Sequence, residues 1–184
     1  MGCWAPEELV RAALTGEEAA VERLIAAVWP GCFRLAATVT GDRGLAQDAA
    51  QEACVIVHRK VRGLRSPEAF DAWLYRIVMR ESARVRRRNP AAAQQPPERA
   101  TVAGDATAVD VWRALASLPP EQRDVVVLFY FDDLRSEEIA AILRVRHPTV
   151  RTRLARARER LRGLLGDYRD ESAPARLEMK QHVV

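Results

Sequence analysis

Apolar residues recur at three- and four-residue intervals along most of this chain, with polar residues between them. Val150, Leu154, Ala157, Leu161 and Leu164 show this spacing, which is the pattern of a helix that buries one face. Alanine, the residue with the highest helix propensity, is abundant, whereas Gly and Pro are concentrated at a few places. The pattern therefore predicts an all-α protein.

The first helices are expected between Thr15 and about residue 39. Thr15 and Glu18 match the capping box, in which an N-cap hydroxyl precedes a glutamate by three positions. Pro30 and Gly31 are expected to break or kink the helix that starts there. A second helical piece is expected over residues 33–39.

Two further helices are expected in the same half of the chain. One covers about residues 45–61, with Leu45, Ala49 and Val57 on its apolar face. Ser66 is expected to cap the next helix, and Pro67 suits its first position. That helix would bury a stripe at helical spacing, consisting of Phe70, Trp73, Leu74, Ile77 and Val78.

A segment without apolar periodicity divides the chain. Residues 89–108 hold several prolines and a glycine, which is typical of an extended linker. We therefore expect two small helical domains, over residues 10–88 and 109–166, joined by a flexible linker. The polar tail over residues 167–184 shows no clear period, and both disorder and the binding of a regulator remain open for it.

Residues 136–165 predict a helix-turn-helix, a short helix followed by a tight turn and a strongly basic second helix. Around the apolar stripe of the second helix stand many arginines and a single acid, Glu159; the arginines are Arg144, Arg146, Arg151, Arg153, Arg156, Arg158, Arg160 and Arg162. A buried stripe with a basic remainder suits a helix that lies in a DNA groove. A solvated amphipathic helix is the alternative interpretation.

The composition is compatible with nucleic-acid binding but does not demonstrate it. Hydrophobic residues make up 48% of the chain and aromatic residues only 6%, so the core must be mainly aliphatic. The net charge is +4, and Lys60 and Lys180 are the only lysines among 29 basic residues. Arginine suits phosphates and guanine edges, but a GC-rich coding sequence would produce the same bias.

Several other classes of protein are not indicated. Cys3, Cys32 and Cys54 are odd in number and show no C-x-x-C or Cys/His spacing, so we expect inert thiols and neither disulfides nor a zinc site. No apolar run approaches the ~18 residues of a membrane span, and no signal peptide is recognisable. We expect a soluble cytoplasmic protein without cofactor or metal. No catalytic motif is present, so an enzyme is not expected.

Motifs in both halves carry a family resemblance. The N-terminal half contains G-D and A-Q-D-A-A-Q-E within residues 41–52, and W-L-Y-R-I at 73–77. The C-terminal half contains L-P-P-E-Q-R-D-V-V-V-L, E-E-I-A-A-I-L and T-V-R-T-R-L-A-R-A-R. In this order the motifs resemble the sigma-70 family of bacterial RNA polymerase initiation factors, specifically its extracytoplasmic-function (ECF) group. The resemblance covers roughly residues 10–165 and implies a factor that binds core RNA polymerase and directs it to promoters.

The resemblance also implies sites in the N-terminal domain. Asp48, Gln51 and Glu52 match the face that docks on the largest polymerase subunit, although an ordinary solvated face is the alternative. The loop from Gly63 to Asp71 and the helix behind it match the region that opens the −10 element. Opening a duplex requires phosphate anchors, and the candidates that contact the −10 strand are Leu64, Arg65, Arg76, Arg80 and Arg84. Generic solubilising charge is the alternative interpretation of these arginines.

In the C-terminal domain, the second helix of the helix-turn-helix matches the element that recognises the −35 sequence. Its N-terminal end should enter the major groove. The candidate contacts are Arg146, His147, Thr149, Arg151, Thr152, Arg153 and Arg156. We expect Arg156 and Arg158, further along the helix, to meet phosphates, which position a protein without specifying sequence.

Three residues depart from the family pattern in ways that affect these sites. Arg144 stands where the turn usually carries glycine, so the turn must tolerate a side chain. Pro148 replaces another usual glycine. Arg80 stands in place of the usual asparagine after W-L-Y-R-I-x-x, which puts a base-specific role there in doubt.

Two other functions remain as alternatives. One is a stand-alone helix-turn-helix regulator that binds DNA without polymerase. The other is an enzyme that acts on nucleic acid, which the absence of a catalytic motif disfavours. An anti-sigma factor is a further partner that the resemblance suggests, although no residue encodes it unambiguously.

Overall fold

The computed structural model describes residues 4–89 and 106–165, and every regular element in these ranges is helical. This agrees with the predicted all-α class. The α-helices are α1 (Glu7–Leu14), α2 (Glu18–Thr40), α3 (Arg43–Lys60), α4 (Phe70–Arg88), α5 (Ala106–Ser117), α6 (Pro120–Val126), α7 (Ser136–Leu143) and α8 (His147–Leu165). Two 3-10 turns (Val61–Gly63 and Pro67–Ala69) precede α4, and a π-helical segment (Val127–Phe131) follows α6.

Helices α2, α3 and α4 pack together around an aliphatic core. Small side chains line the contact between α2 and α3, where Ala36, Ala46, Ala49, Ala50 and Ala53 are all completely buried. Small residues allow two helix axes to approach closely, so few aromatic residues are needed to fill the space. Phe70, at the start of α4, is the largest side chain that is fully buried.

The start of α2 differs from the sequence prediction. Thr15 follows the end of α1, where its Oγ1 donates a hydrogen bond to the carbonyl of Ala12 (2.8 Å). Gly16, with φ +92°, connects α1 to α2. Helix α2 begins at Glu18, and no side chain caps it. The predicted capping box is wrong because α1, which the sequence did not indicate, ends where the cap was expected.

Helix α2 also continues through Pro30, so the predicted break does not occur and residues 33–39 belong to the same helix. Gly31 faces the indole ring of Trp4, and a Cβ atom there would lie 2.7 Å from the ring carbon Cζ3. The glycine therefore allows the close packing of Trp4 rather than ending the helix. Packing of α2 on both α3 and α4 compensates for the backbone hydrogen bond that proline cannot donate.

The beginning of α3 lies two residues before the prediction. Gly41, with φ +72°, ends α2, and Asp42 caps α3 by accepting a hydrogen bond from the backbone N–H of Leu45 to its Oδ1 (2.7 Å). An aspartate at this position satisfies an N–H group that has no partner within the helix.

The beginning of α4 is less regular than predicted. Pro67 begins a 3-10 turn, and α4 itself starts at Phe70. The predicted cap at Ser66 is wrong, since the Ser66 side chain makes no capping hydrogen bond to the turn. The predicted stripe is buried at Phe70, Leu74, Ile77 and Val78, and Trp73 is half-buried against it.

The second group of helices packs around α8. Val150, Leu154 and Ala157 are buried as predicted, and Leu161 is partly buried against the core. Leu164 is 55% exposed, so the predicted stripe ends before it. Helices α5, α6 and α7 pack against α8, and the burial pattern shows that this packing involves the earlier turns of α8.

Part of the predicted linker is helical, since α5 begins at Ala106. Residues 90–105, which form most of that linker, lie outside the described residues, as does the predicted tail over 167–184. The two groups of helices touch each other directly: α4 packs against α7, and α2 lies against the π-helical segment. A cavity of about 370 Å³ lies between them, lined by residues that include Trp4, Arg34, Tyr75, Phe131 and Asp132.

Candidate nucleic-acid interface

Helices α7 and α8 form the predicted helix-turn-helix. Arg144 ends α7 in the left-handed conformation (φ +54°, ψ +44°). The next residue, Val145, donates its backbone N–H to the carbonyl of Ala140 (3.1 Å). Glycine adopts this conformation most easily. Arg144 adopts it here, so the turn accommodates the arginine at the position where glycine was expected. Arg144 is exposed to solvent.

The two helices of the motif are also joined by a side-chain contact. His147 Nε2, at the start of α8, lies 3.3 Å from Glu137 Oε1 of α7. Pro148 occupies the second position of α8, where its missing N–H has no partner to lose. Thr152 Oγ1 donates to the carbonyl of Pro148 (3.0 Å), which leaves the hydroxyl oxygen free to accept.

The first turns of α8 have one buried face and one accessible face. Val150 and Leu154 are buried, and the residues on the other side vary in exposure. Of the predicted −35 contacts, Arg146, Arg151, Thr152 and Arg156 are exposed, whereas His147, Thr149 and Arg153 are half-buried. The accessible face is therefore dominated by arginine, as an approach to DNA requires.

Arg153 differs from Arg151 in its electrostatic surroundings. Burial raises the pKa of Asp124, on α6, to about 6, and the charges of Arg86 and Arg153 partly oppose that rise. Arg153 is thus close enough to stabilise the ionised carboxylate of Asp124. Arg151, by contrast, is exposed to solvent.

The arginines predicted for the −10 element lie on α4. Arg76, Arg80 and Arg84 are spaced by four residues and so share one stripe of the helix. Arg76 Nε donates to the carbonyl of Ala72 (2.9 Å). Of the two candidates that precede α4, Leu64 packs against the core and Arg65 is exposed.

A buried acid lies within this arginine stripe. The Glu81 side chain is 4% exposed, and its two oxygens accept one hydrogen bond each, from Arg80 Nε and from Arg84 Nη1 (both 3.0 Å). The sequence analysis did not identify Glu81. The signal that could have done so is a single acid between arginines in R-E-S-A-R, on a helix whose neighbours are buried.

Where the two groups of helices meet, a candidate DNA-binding arginine of α4 lies near an arginine of the helix-turn-helix. Arg76 of α4 lies near Arg144 at the turn of the helix-turn-helix, and its pKa is lowered first by burial and then by the Arg144 charge. Like charges held together in this way create a locally strong positive potential.

The face predicted to bind polymerase lies on α3, a different helix from the one that carries the arginine stripe. Asp48, Gln51 and Glu52 are all exposed, and the i, i+3, i+4 spacing places them on one side of the helix. Val55 continues the same side and is 37% exposed, one of the few large apolar side chains that reach solvent among the described residues. The face thus combines two carboxylates, an amide and an apolar residue.

Arg123 is a further residue that the sequence analysis missed. It is 4% exposed, and its guanidinium donates to three carbonyls near the end of α5: Leu115 (2.7 Å), Ala116 and Leu118 (2.9 Å). The last carbonyls of a helix lack partners within it and carry partial negative charge. Arg123 therefore joins α5 to α6.

The described residues include no group of three or more His, Cys, Asp or Glu side chains that could hold a metal ion. No helix in the described part of the chain is long and apolar enough to cross a membrane.

Cys32 and Cys54 are buried, and the pKa of Cys32 is raised by its hydrogen bond with Cys54 and by burial. Cys3 lies outside the described residues.

Comparison with known proteins places two family models on the chain, in the order of the two groups of helices. The model described as sigma-70 region 2 matches residues 24–90, and the model described as sigma-70 region 4 matches residues 108–161.

Curated relatives match most of the chain. The ECF RNA polymerase sigma factor SigM of Mycobacterium tuberculosis is 35% identical over 164 residues, which cover 86% of this chain and 84% of that protein. The ECF RNA polymerase sigma factor SigE of Mycolicibacterium smegmatis is 33% identical, and the match covers 86% of this chain and 68% of that protein.

Solved structures share the fold. CnrH, in complex with the cytosolic domain of CnrY, superposes with a TM-score of 0.68 at 23% identity and covers 86% of this chain and 96% of that one. The sigma factor RpoE of Bartonella quintana, in complex with the anti-sigma factor NepR, has a TM-score of 0.61 at 22% identity, with coverage of 80% and 98%.

Proposed function

The chain belongs to the sigma-70 family of RNA polymerase sigma factors, in the ECF group, and from this premise we propose how its surfaces serve polymerase and promoter. As a member of the family it is a transcription initiation factor that directs RNA polymerase to promoters. The observation that carries the proposal is the presence of both sigma regions, in order, on one chain. A stand-alone DNA-binding regulator would require only the second of them.

Core polymerase binds the face of α3 formed by Asp48, Gln51 and Glu52. All three side chains are exposed, and their carboxylates suit a basic partner surface. Val55, one turn further along, gives the same face an apolar contact. Binding interfaces commonly surround such apolar contacts with charged side chains, so the face has the chemistry of a docking surface.

The stripe of α4 holds the strand of the −10 element. Arg76, Arg80 and Arg84 contact the phosphates of the melted strand, and Leu64 and Arg65 help to keep the strand in place. Arginine side chains bind single-stranded backbones without base preference, which agrees with the absence of the usual asparagine at Arg80.

The first turns of α8 enter the major groove at the −35 element. Arg146, His147, Thr149, Arg151, Thr152 and Arg153 lie where base edges would be met, and Arg156 lies further along, where phosphates would be met. Among the arginines on this face, Arg151 is the best placed to contact a base, because it is exposed and lies on the second turn of the helix.

Residues 10–88 form the domain that binds polymerase and the −10 element, and residues 109–166 form the −35 domain. The factor acts in the cytoplasm, where polymerase and the chromosome are. An anti-sigma factor is a further partner; CnrH and the Bartonella RpoE are solved in complexes with CnrY and with the anti-sigma factor NepR, respectively.

Transcription with purified components tests the proposal. The full chain is combined with bacterial core polymerase, promoters are selected from a randomised duplex library, and run-off transcripts are mapped on the selected sequences. We expect discrete start sites that depend on the chain. If the chain binds selected duplexes tightly on its own but yields no start site with core enzyme, the function is that of a stand-alone regulator.

A further inference from the structure

The carboxylate of Glu81 lies beneath two arginines that remain accessible to solvent. Its Oε1 accepts from Arg80 Nε and its Oε2 accepts from Arg84 Nη1, at 3.0 Å each. The Glu81 side chain is 4% exposed, whereas those of Arg80 and Arg84 are 62% and 43% exposed. One buried acid thus holds two exposed cations that lie one helical turn apart.

Within residues 4–89 and 106–165, the geometry leaves part of each guanidinium free to bind a ligand. Arg80 uses Nε for Glu81 and retains both terminal nitrogens, and Arg84 uses Nη1 and retains Nη2 and Nε. Burial alone would raise the pKa of Glu81, but the hydrogen bonds and charges of Arg84 and Arg80 lower it below its ordinary value. The carboxylate therefore stays ionised and keeps both arginines in a fixed direction. A flexible arginine would otherwise lose rotamer freedom on binding.

We propose that Glu81 is a positioning residue that holds Arg80 and Arg84 as a paired phosphate clamp for the single strand of the −10 element. The inference rests on the proposed role of the α4 stripe. It also gives Arg80 a function at the position where the family usually has asparagine, namely a bond to the backbone rather than to a base. Neighbouring phosphates of one strand are the ligand that two adjacent guanidinium groups fit.

Neutralising Glu81 separates positioning from simple electrostatics, because the two predict opposite signs. Glu81→Gln removes a negative charge from beneath two arginines, so charge alone predicts tighter DNA binding. Positioning predicts weaker binding, since the amide accepts from only one arginine and turns its own donors towards the other. We expect the affinity to fall by roughly three- to tenfold, as for the loosening of one or two charge-assisted hydrogen bonds.

The measurement uses holoenzyme reconstituted from core polymerase and the full chain. Its ligand is a fluorescent single-stranded oligonucleotide that carries the −10 sequence recovered in the promoter selection. Affinity is measured by anisotropy at several salt concentrations, and the slope of log affinity against log salt should decrease in magnitude by about 0.7 for each phosphate that the variant no longer neutralises. Glu22→Gln, which removes the same charge from an exposed position of α2, is the matched control and should leave affinity and slope unchanged.

A second comparison distinguishes positioning from a general loss of structure. Glu81→Gln is also placed in a chain that carries Arg80→Ala and Arg84→Ala. If Glu81 acts through the arginines, the substitution has no further effect on affinity there. An equal reduction of affinity in both backgrounds, or binding by Glu81→Gln as tight as or tighter than wild type, overturns the proposal.

Two further sets of variants distinguish failure of the clamp from failure of the proposed function and from a loss of folding. If Arg80→Ala with Arg84→Ala does not change affinity, the α4 stripe does not bind the strand and the clamp falls with it, whereas promoter-dependent transcription by the chain would still stand. If Glu81→Gln does not fold, Arg80→Lys and Arg84→Lys keep the charge while removing the Nε–H and the planar fork. The clamp predicts weaker binding for both lysine variants, and unchanged affinity overturns it.

Discussion

Arg158 of α8 donates a hydrogen bond from its Nε to the hydroxyl of Tyr130 (2.9 Å) in the π-helical segment. Its guanidinium carbon also lies 5.6 Å from the ring centroid of Phe129 and 5.7 Å from that of Tyr130. The sequence led us to expect Arg158 to anchor phosphates together with Arg156. The structure gives Arg158 partners within the protein as well, and these fix α8 to the segment that follows α6.

Arg158→Ala is therefore expected to reduce stability. Removing the hydrogen bond and the packing on two rings should lower the free energy of unfolding by about 1 kcal/mol. Urea unfolding followed by circular dichroism measures the change. Arg156→Ala, at an exposed position of the same helix, is the control and should leave the unfolding midpoint unchanged. Equal midpoints for the two variants would contradict the structural role of Arg158.

A larger loss is expected at Arg123, which bonds three carbonyls while almost completely buried. Arg123→Met keeps much of the side-chain volume but leaves these carbonyls without their donor. We expect the free energy of unfolding to fall by about 3 kcal/mol or more, as for a broken buried network. Arg151→Met, at an exposed arginine of the same half, should change it by less than about 0.5 kcal/mol. If both variants unfold at the same urea concentration, Arg123 does not support the fold.

The roles of Arg158 and Arg123 could not be predicted from the sequence, whereas the faces of the helices could. The apolar stripes of α3, α4 and α8 follow from local spacing, and so does the exposure of Asp48, Gln51 and Glu52, because a helix fixes which residues share a side. Arg123 looks like any other charged residue of α6. Its role depends on the carbonyls at the end of α5, which only the packing of the two helices brings within reach.

The same distinction explains the errors at Thr15 and Pro30. A capping motif and a proline are local signals. At Thr15 the end of α1 took the place of the expected cap, and at Pro30 the packing of α2 on α3 and α4 overrode the expected break. Gly31 fits the fold because Trp4, far away in sequence, packs on its open side. The Glu81 pair with Arg80 and Arg84 is short-range in sequence, but its significance arises from burial of the carboxylate, which the sequence alone does not give.

Ionisation of Asp124 should make the stability of the protein depend on pH. Burial raises its pKa to about 6 in the folded protein, against about 3.9 in an unfolded chain. The folded state thus binds the proton more tightly, and the carboxyl costs stability progressively as pH rises from about 4 to about 6. Asp124→Asn should therefore be more stable than wild type by about 3 kcal/mol above pH ~6.5, with no difference below pH ~3.5.

Urea unfolding at a series of pH values tests this expectation. The exposed Asp48→Asn variant is the matched control, and its stability should follow that of the wild type across the range. If Asp124→Asn were less stable than wild type at neutral pH, the charges of Arg86 and Arg153 would outweigh burial, contrary to the raised pKa.

Reversing a charge on α3 should impair polymerase binding without affecting the fold. Glu52 is exposed on the proposed face, so Glu52→Lys should lower the affinity for core polymerase by about tenfold or more, as truncation or repulsion at an interface does. Competition against a labelled wild-type chain measures the affinity, and thermal unfolding confirms that the variant is folded. Glu8→Lys makes the same charge change on α1, outside the face, and should compete as well as wild type. If both lysine variants compete equally, polymerase does not dock on this side of α3.

The exposed arginines of α8 should differ in the information that they read from the promoter. Arg151 lies on the second turn, where a recognition helix meets base edges, and Arg156 lies further along, where we propose that it meets phosphates. Arg151→Ala should cost about 1–3 kcal/mol on the selected −35 sequence and relax the preference at one position. Arg156→Ala should weaken binding to all sequences alike and reduce the salt slope by about one.

Repeating the promoter selection with each variant holoenzyme separates the two effects, because only removal of a base-reading side chain alters the recovered −35 sequence. The Arg156→Ala holoenzyme is the control and should recover the wild-type sequence at reduced affinity. If both variants recover the wild-type sequence and bind every duplex equally weakly, Arg151 binds phosphate as Arg156 does. Specificity must then come from another of the proposed base-edge residues, namely Arg146, His147, Thr149, Thr152 or Arg153.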